Sequence, residues 1–110
     1  MKLLSIGFNL KMVADLETSS VIVEKISPSD VPADAISTIR HSDCANILSE
    51  VLGRKIDVNR SSQRLNYGDI VYVAQFMGES LKKDALTSPH GAKIQFFKVT
   101  ITPVFVPLEQ

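Results

Sequence analysis

His41 is the residue best placed to do chemistry in this 110-residue chain. It stands in the run Ile39-Arg40-His41-Ser42-Asp43, just before Cys44, Ile47, Leu48, Val51 and Leu52, which recur at helical spacing. Ser42 or Asp43 can cap the first turn and Gly53 suits a left-handed stop, so the pattern predicts a helix over 43–52. A helix start carries unpaired backbone N–H groups and a partial positive charge, and it therefore attracts anions. Arg40 and Arg54 bracket this helix with cations. An imidazole beside an anion site can donate a proton to a leaving group. Taken alone, a histidine in that place is more often a cap or a solvated side chain than a catalyst.

The elements that must position His41 can be read in outline. Residues 1–8 are apolar and predict a first strand, ended at Gly7-Phe8-Asn9, where backbone can approach a ligand closely. Leu10, Met12, Val13 and Leu16 suit a brief helical turn. Val21-Ile22-Val23-Glu24-Lys25-Ile26 is β-branched and predicts a second strand. Pro32 to Ile39 predicts a short helix with Asp30 near its cap. Ile56 to Arg60 reads as extended, and Asn66-Tyr67-Gly68-Asp69 as a turn. Ile70 to Phe76 is almost wholly apolar and predicts a central strand. Residues 77–92 read as a loop, and Lys93 to Ile101 as the last strand. The expected fold is α/β (mixed α+β), one domain over residues 1–102 with a tail at 103–110. Its core is a central mixed β-sheet of about five strands flanked by a few helices.

Composition narrows the function. Hydrophobic residues are 45% of the chain and charged residues 22%, which places it among globular rather than disordered chains. Twelve basic and twelve acidic residues give zero formal charge, which argues against a duplex nucleic-acid partner. The single cysteine, Cys44, lies on the apolar helix face and reads as a small core residue rather than a nucleophile. One cysteine and two widely separated histidines provide no metal-ligand spacing, and no cofactor or metal is expected. The absence of an 18-residue apolar span leads to the expectation of no membrane partner and a cytoplasmic location, the host cytoplasm if the protein is viral. Arg60 and Arg64 could line a pocket but read better as solvated strand residues, and the Lys82-Lys83 pair reads as solvated; Tyr72 reads as packing, and His90 as an exposed turn residue.

Several short pieces together resemble a known family. They are Leu4-Ser5-Ile6-Gly7-Phe8-Asn9-Leu10-Lys11-Met12, Ile39-Arg40-His41-Ser42, Leu52-Gly53, Val58-Asn59-Arg60, Gly68 through Gln75, and Lys93-Ile94-Gln95-Phe96-Phe97. In order and spacing they resemble small proteins of archaeal viruses, phages and mobile elements. That group includes the viral ring nucleases that act as type III anti-CRISPR proteins. The resemblance implies a homodimer that holds a cyclic oligoadenylate across its two-fold axis. It implies cleavage without metal, with a ribose 2′-hydroxyl as nucleophile and a histidine as general acid on the leaving 5′-oxygen. His41 matches that histidine, Gln75 a polar residue at the ligand-facing end of the core strand, and Asn9 a polar contact in the first loop. Gly7, Arg40, Ser42 and Asp43 complete the expected ligand-binding set at the strand end and helix start.

One stretch departs from the family. Its members carry an arginine shortly after the core strand, in an Arg-Leu-x-Glu stretch. Glu79 and Lys82 stand at the arginine and glutamate positions here, so both signs invert. Arg40, which replaces the usual glycine, and Lys82 are the expected sources of compensating positive charge. Two functions follow as expectations. The first is binding, with degradation or sequestration, of a cyclic oligonucleotide messenger that serves host defence. The second is a non-catalytic protein on the same scaffold that binds and inhibits a host defence protein. A transcriptional regulator is disfavoured by the zero net charge.

Overall fold

Parallel pairing around one short strand sets the architecture. The computed structural model describes residues 1–77 and 93–104. Strand β1, Lys2–Ser5, lies between β3, Ile36–Ser37, and β4, Ile70–Phe76, and runs parallel to both. Strand β5, Ile94–Thr102, runs antiparallel to β4 and to β2, Ser20–Ile26. The sheet therefore has five strands in the order β2-β5-β4-β1-β3, and the chain forms one α+β domain.

Alternation along the strands divides the core between two faces. Leu4, Tyr72, Ala74 and Phe96 point to one side. There they meet Ala45 and Leu48 of helix α1, Ser42–Leu52, with Cys44, Val51 and Leu52 packed around them. Leu3, Val71, Val73, Val99 and Ile101 point to the other side, beneath Phe8, Met12, Val13, Leu16 and the buried Leu65. Helix α1 covers the first face because its apolar stripe recurs at 3.6-residue spacing. Gly53 stops the helix at φ 71°, in the left-handed region that a side chain disfavours.

Several expectations are corrected. The first strand ends at Ser5 rather than residue 8. No helix forms over residues 32–39. A single 3-10 turn, Pro28–Asp30, precedes it, closed by the Ser27 N–H donating to Asp30 Oδ2 at 3.1 Å. Val31 is held extended, as a residue before proline prefers. Ile36 and Ser37 then pair with Leu3 and Leu4, because β1 offers them an open edge. The flanking helices reduce, among the described residues, to α1 and two 3-10 turns, the other being Leu10–Val13. Residues 56–60, expected as an extended segment, join no described strand, and the Asn59 N–H donates to Ile39 O at 2.8 Å. The loop expected at 77–92 lies outside the described residues from 78 onward, as does the tail from 105.

Asp69 ties the sheet to its entry turn and makes stability depend on pH. Its carboxylate takes the Asn66 N–H at 2.8 Å and the Met1 amino group at 2.9 Å. Burial alone would raise its pKa, but these hydrogen bonds and the amino group's charge outweigh burial and lower it. A lowered folded-state pKa contributes stability above the unfolded value of about 4, and that stability is lost as pH falls through the folded value. Urea midpoints measured from pH 6 down to pH 2 should fall less steeply for Asp69→Asn than for the unaltered chain. Parallel curves would remove Asp69 from the acid response.

Candidate functional site

A concave site opens at the carboxyl end of β1. In sheets with parallel strands that end is where ligands collect, because the chain leaves the sheet there with backbone groups unpaired. Three segments meet at this point: Ser5 through Asn9 leaving β1, Thr38 through His41 leaving β3, and residues 61–64. Together with Lys11 and Met12 they line a cavity of about 500 Å³.

Each segment is held by hydrogen bonds the sequence does not advertise. The Thr38 N–H donates to Leu4 O at 2.8 Å and its hydroxyl to the same oxygen at 3.0 Å, fastening the approach to His41 onto β1. Ile39 is fully buried and anchors the turn. The Asn59 side chain donates to Ser37 O at 2.9 Å, and Arg40 Nη1 donates to Arg60 O at 2.7 Å. These bonds draw residues 59–61 alongside His41. The Leu65 N–H then donates to Met12 O at 2.7 Å and closes the far wall.

The expected residues divide into those the cavity gathers and those it does not. Gly7, Asn9, Arg40 and His41 line it. Asn9 is partly committed, since its side-chain oxygen accepts the Lys11 N–H at 2.9 Å and caps the 3-10 turn. Ser42 and Asp43 are exposed in the first turn of α1 and do not line the cavity. Neither is the cap: His41 holds the N-cap position, in extended conformation and without a capping side-chain bond. Gln75 lies elsewhere, in a shallow apolar recess with Val23, Val73, Phe97 and Val99. Phe8 lines both hollows and so forms the wall between them. Lys82 and Glu79 lie outside the described residues. Arg54 donates to Pro32 O at 2.8 Å and braces the distal end of α1, not the cavity.

Sequence reasoning missed Lys11 and residues 61–63. Arg64 is exposed, as the solvated reading expects, and it also lines the cavity while Nη1 holds Asp15 Oδ1 at 3.0 Å. No periodicity marks these residues, because they reach the cavity through loops whose course is set by tertiary hydrogen bonds.

The lining has one sign of charge. Lys11, Arg40 and Arg64, with the His41 imidazole, face a cavity that no described aspartate or glutamate lines. Asp15, outside the lining, offsets Arg64, so the positive potential comes chiefly from Lys11 and Arg40, and it suits an anion. Ser5, Thr38, Ser61, Ser62 and Gln63 add neutral hydrogen-bonding groups, and Phe8 and Met12 add apolar surface. That mixture suits an anion that also carries apolar surface. Burial, and then the neighbouring Asp43 carboxylate, push the Cys44 thiol above its ordinary pKa, which suits a packing residue rather than a nucleophile. Among the described residues no cluster of three or more histidine, cysteine, aspartate or glutamate side chains could hold a metal ion. Nor is any described helix long and apolar enough to cross a membrane.

Comparisons with known proteins agree with this architecture. A family model described as STIV B116-like matches residues 10–97. The structure is similar to that of B116 of Sulfolobus turreted icosahedral virus, with a TM-score of 0.69. The two chains are 19% identical, over 90% of this chain and 97% of that one. At that identity the likeness is one of fold. No curated protein matches the chain.

Proposed function

The chain belongs to the STIV B116-like family, and on that premise we propose that its cavity binds a cyclic oligonucleotide, of the oligoadenylate type, and cleaves it with His41 as general acid. One observation carries the reading: Lys11, Arg40, His41 and Arg64 converge on a cavity of about 500 Å³ with no described carboxylate in its lining. The resemblance of the His41 and core-strand segments to viral ring nucleases supplies the ligand class and its homodimeric setting.

The chemistry needs little machinery. The ribose 2′-oxygen attacks phosphorus in line with the P–O5′ bond, and that bond breaks to leave a 2′,3′-cyclic phosphate and a 5′-hydroxyl. Protonated His41 supplies the proton to the departing O5′. The 2′-hydroxyl proton passes to solvent. Charge that develops on the phosphoryl oxygens is met by Arg40 and Arg64. Holding nucleophile and leaving group in line provides much of the acceleration, and the fixed walls at residues 5–9 and 61–64 are suited to that task.

The test is direct binding and product analysis with cyclic oligoadenylates of several ring sizes, with other cyclic oligonucleotides and with duplex DNA as a control. Absence of binding to any ring overturns the reading. Arg40→Gln and Arg64→Gln should each weaken ring binding about a hundredfold, because a ring held across a two-fold axis loses one charge-assisted hydrogen bond to each copy. Each should also lower the slope of log affinity against log salt by about 1.4. Unchanged slopes would show that neither arginine meets a phosphate.

A second reading, sequestration without cleavage, is favoured by the sign inversion at Glu79 and Lys82. It is also favoured by His41 having no capping bond to orient its ring. Product analysis separates the two: intact ring recovered from a tight complex means sequestration. Inhibition of a host defence protein, the other expectation, would instead show a stoichiometric protein complex with the cavity empty of nucleotide.

A further inference from the structure

We propose that the Ser5 hydroxyl is a ligand contact, which donates its proton to a phosphoryl oxygen held in the cavity. Ser5 is the last residue of β1, where the strand leaves the sheet, and it stands opposite Val73 of β4. Alternation sets it on the same face as Leu3, whose apolar cluster includes Val71 and Val73. It is only 7% exposed, and apart from Tyr72 it is the only buried side chain with a polar atom among the described residues. Ser5 nevertheless lines the cavity. Burial takes water away from a hydroxyl, so a hydroxyl in that place costs stability wherever a bond is left unmade.

One of its bonds is made within the chain. Ser5 Oγ accepts the Gly7 N–H at 3.3 Å as the chain turns out of the sheet. The hydroxyl's own proton meets no acceptor among the described residues. The other hydroxyls of the lining differ. Thr38 donates to Leu4 O at 3.0 Å, Ser61 donates to Asn59 Oδ1, and Ser62 is exposed to solvent. Ser5 alone combines burial with an unspent donor. Because its oxygen already accepts from Gly7, its O–H turns away from that N–H, and the open side is the cavity. The lining then selects the acceptor. Lys11, Arg40 and Arg64 line the same cavity with no described carboxylate, so the group that enters is an anion. A phosphoryl oxygen is a strong acceptor of that charge, and it completes on binding the bond that folding leaves unmade.

The inference rests on the reading of the cavity as a phosphate site, and its probe is inorganic phosphate, so that it stands or falls apart from the ring. Phosphate titrated into the full chain, with chloride at equal ionic strength as control, should shift the amide signals of residues 5–9 and 38–41. Ser5→Ala should weaken that binding about tenfold, as loss of one hydrogen bond to a charged group would. Its melting temperature should hold within about 4 °C, because the hydroxyl removed is unpaired at its proton and the partly exposed Gly7 N–H can turn to water. Ser5→Cys, close in size but a weak donor, should bind phosphate as Ser5→Ala does, and it carries the test if Ser5→Ala fails to fold. A ring held by two copies should lose about a hundredfold in either variant. Phosphate bound through Ser5 with no ring bound would sink the cyclic-oligonucleotide reading and leave Ser5 as a phosphate donor. Equal phosphate affinity in the variants overturns the proposal, as does an unaltered chain that takes no phosphate. So does weaker binding accompanied by a larger fall in melting temperature, or a fold lost in both variants. Ring affinity that falls while phosphate affinity holds overturns it too, since that would set a base against Ser5.

Discussion

His41→Ala should lower the rate of ring cleavage about 10²- to 10⁴-fold while changing ring affinity by less than about tenfold, the effect of losing a general acid. The split follows from where His41 sits. It is exposed at the cavity mouth and belongs to neither core cluster, so its removal leaves the fold intact. Lys11, Arg40 and Arg64 still line the cavity, where the proposed ring's phosphates would sit. On the proposed mechanism the leaving 5′-oxygen would then depart as an alkoxide, the slow step that a general acid relieves. Single-turnover cleavage and equilibrium binding, measured on the same preparations, separate the two quantities. Cleavage that survives His41→Ala at full rate would remove His41 from the chemistry and leave it as a lining residue.

Phe96→Ala should destabilise the chain by about 3–5 kcal/mol, the usual cost of emptying a fully buried aromatic site. Phe96 is 2% exposed and lies on β5, opposite Ala74 of β4 and Ile26 of β2. It packs in the same cluster as Leu48 of α1, Leu4 of β1 and Ile39. Ala74 is small and cannot expand into the space, so most of the cavity would persist. A domain of this size is stable by about 5–15 kcal/mol, so the variant would lose a large share of that margin. Urea denaturation checks it, with the slope confirming that the same surface unfolds. A loss under about 1 kcal/mol would mean that the helix–sheet core collapses around the site. The cluster joins the site to the fold: Ile39 anchors the turn into His41, so ring binding should weaken at temperatures where the core begins to open.

Much of the scaffold was legible because it depends on local pattern. The stripe of Leu48, Val51 and Leu52 predicted α1 to within a residue at its start. The apolar run from Ile70 to Phe76 predicted β4, whose residues 71–74 are all buried. Val21 through Ile26 predicted β2, though pattern alone could not tell that its apolar residues lie open on an edge. The segment 32–39 was misread because its proline and spacing favour a helix, while the open flank of β1 offered Ile36 and Ser37 a ladder instead. Strand pairing of this kind is tertiary and overrides propensity.

By itself the sequence determined a mixed α+β domain and a helix with His41 at its N-terminus, since burial of alternating and helical stripes demands these elements. The tertiary structure alone decided which side chains meet His41. It brought Lys11 and Arg64 to the cavity from loops 30 and 23 positions away in the chain. It set Gln75 in a neighbouring recess and turned Ser42 and Asp43 outward, and it assigned Arg54 to the brace at the far end of α1. The reason is physical: loop paths are fixed by hydrogen bonds such as Asn59 to Ser37 and Leu65 to Met12, and those depend on distance in space rather than spacing in sequence.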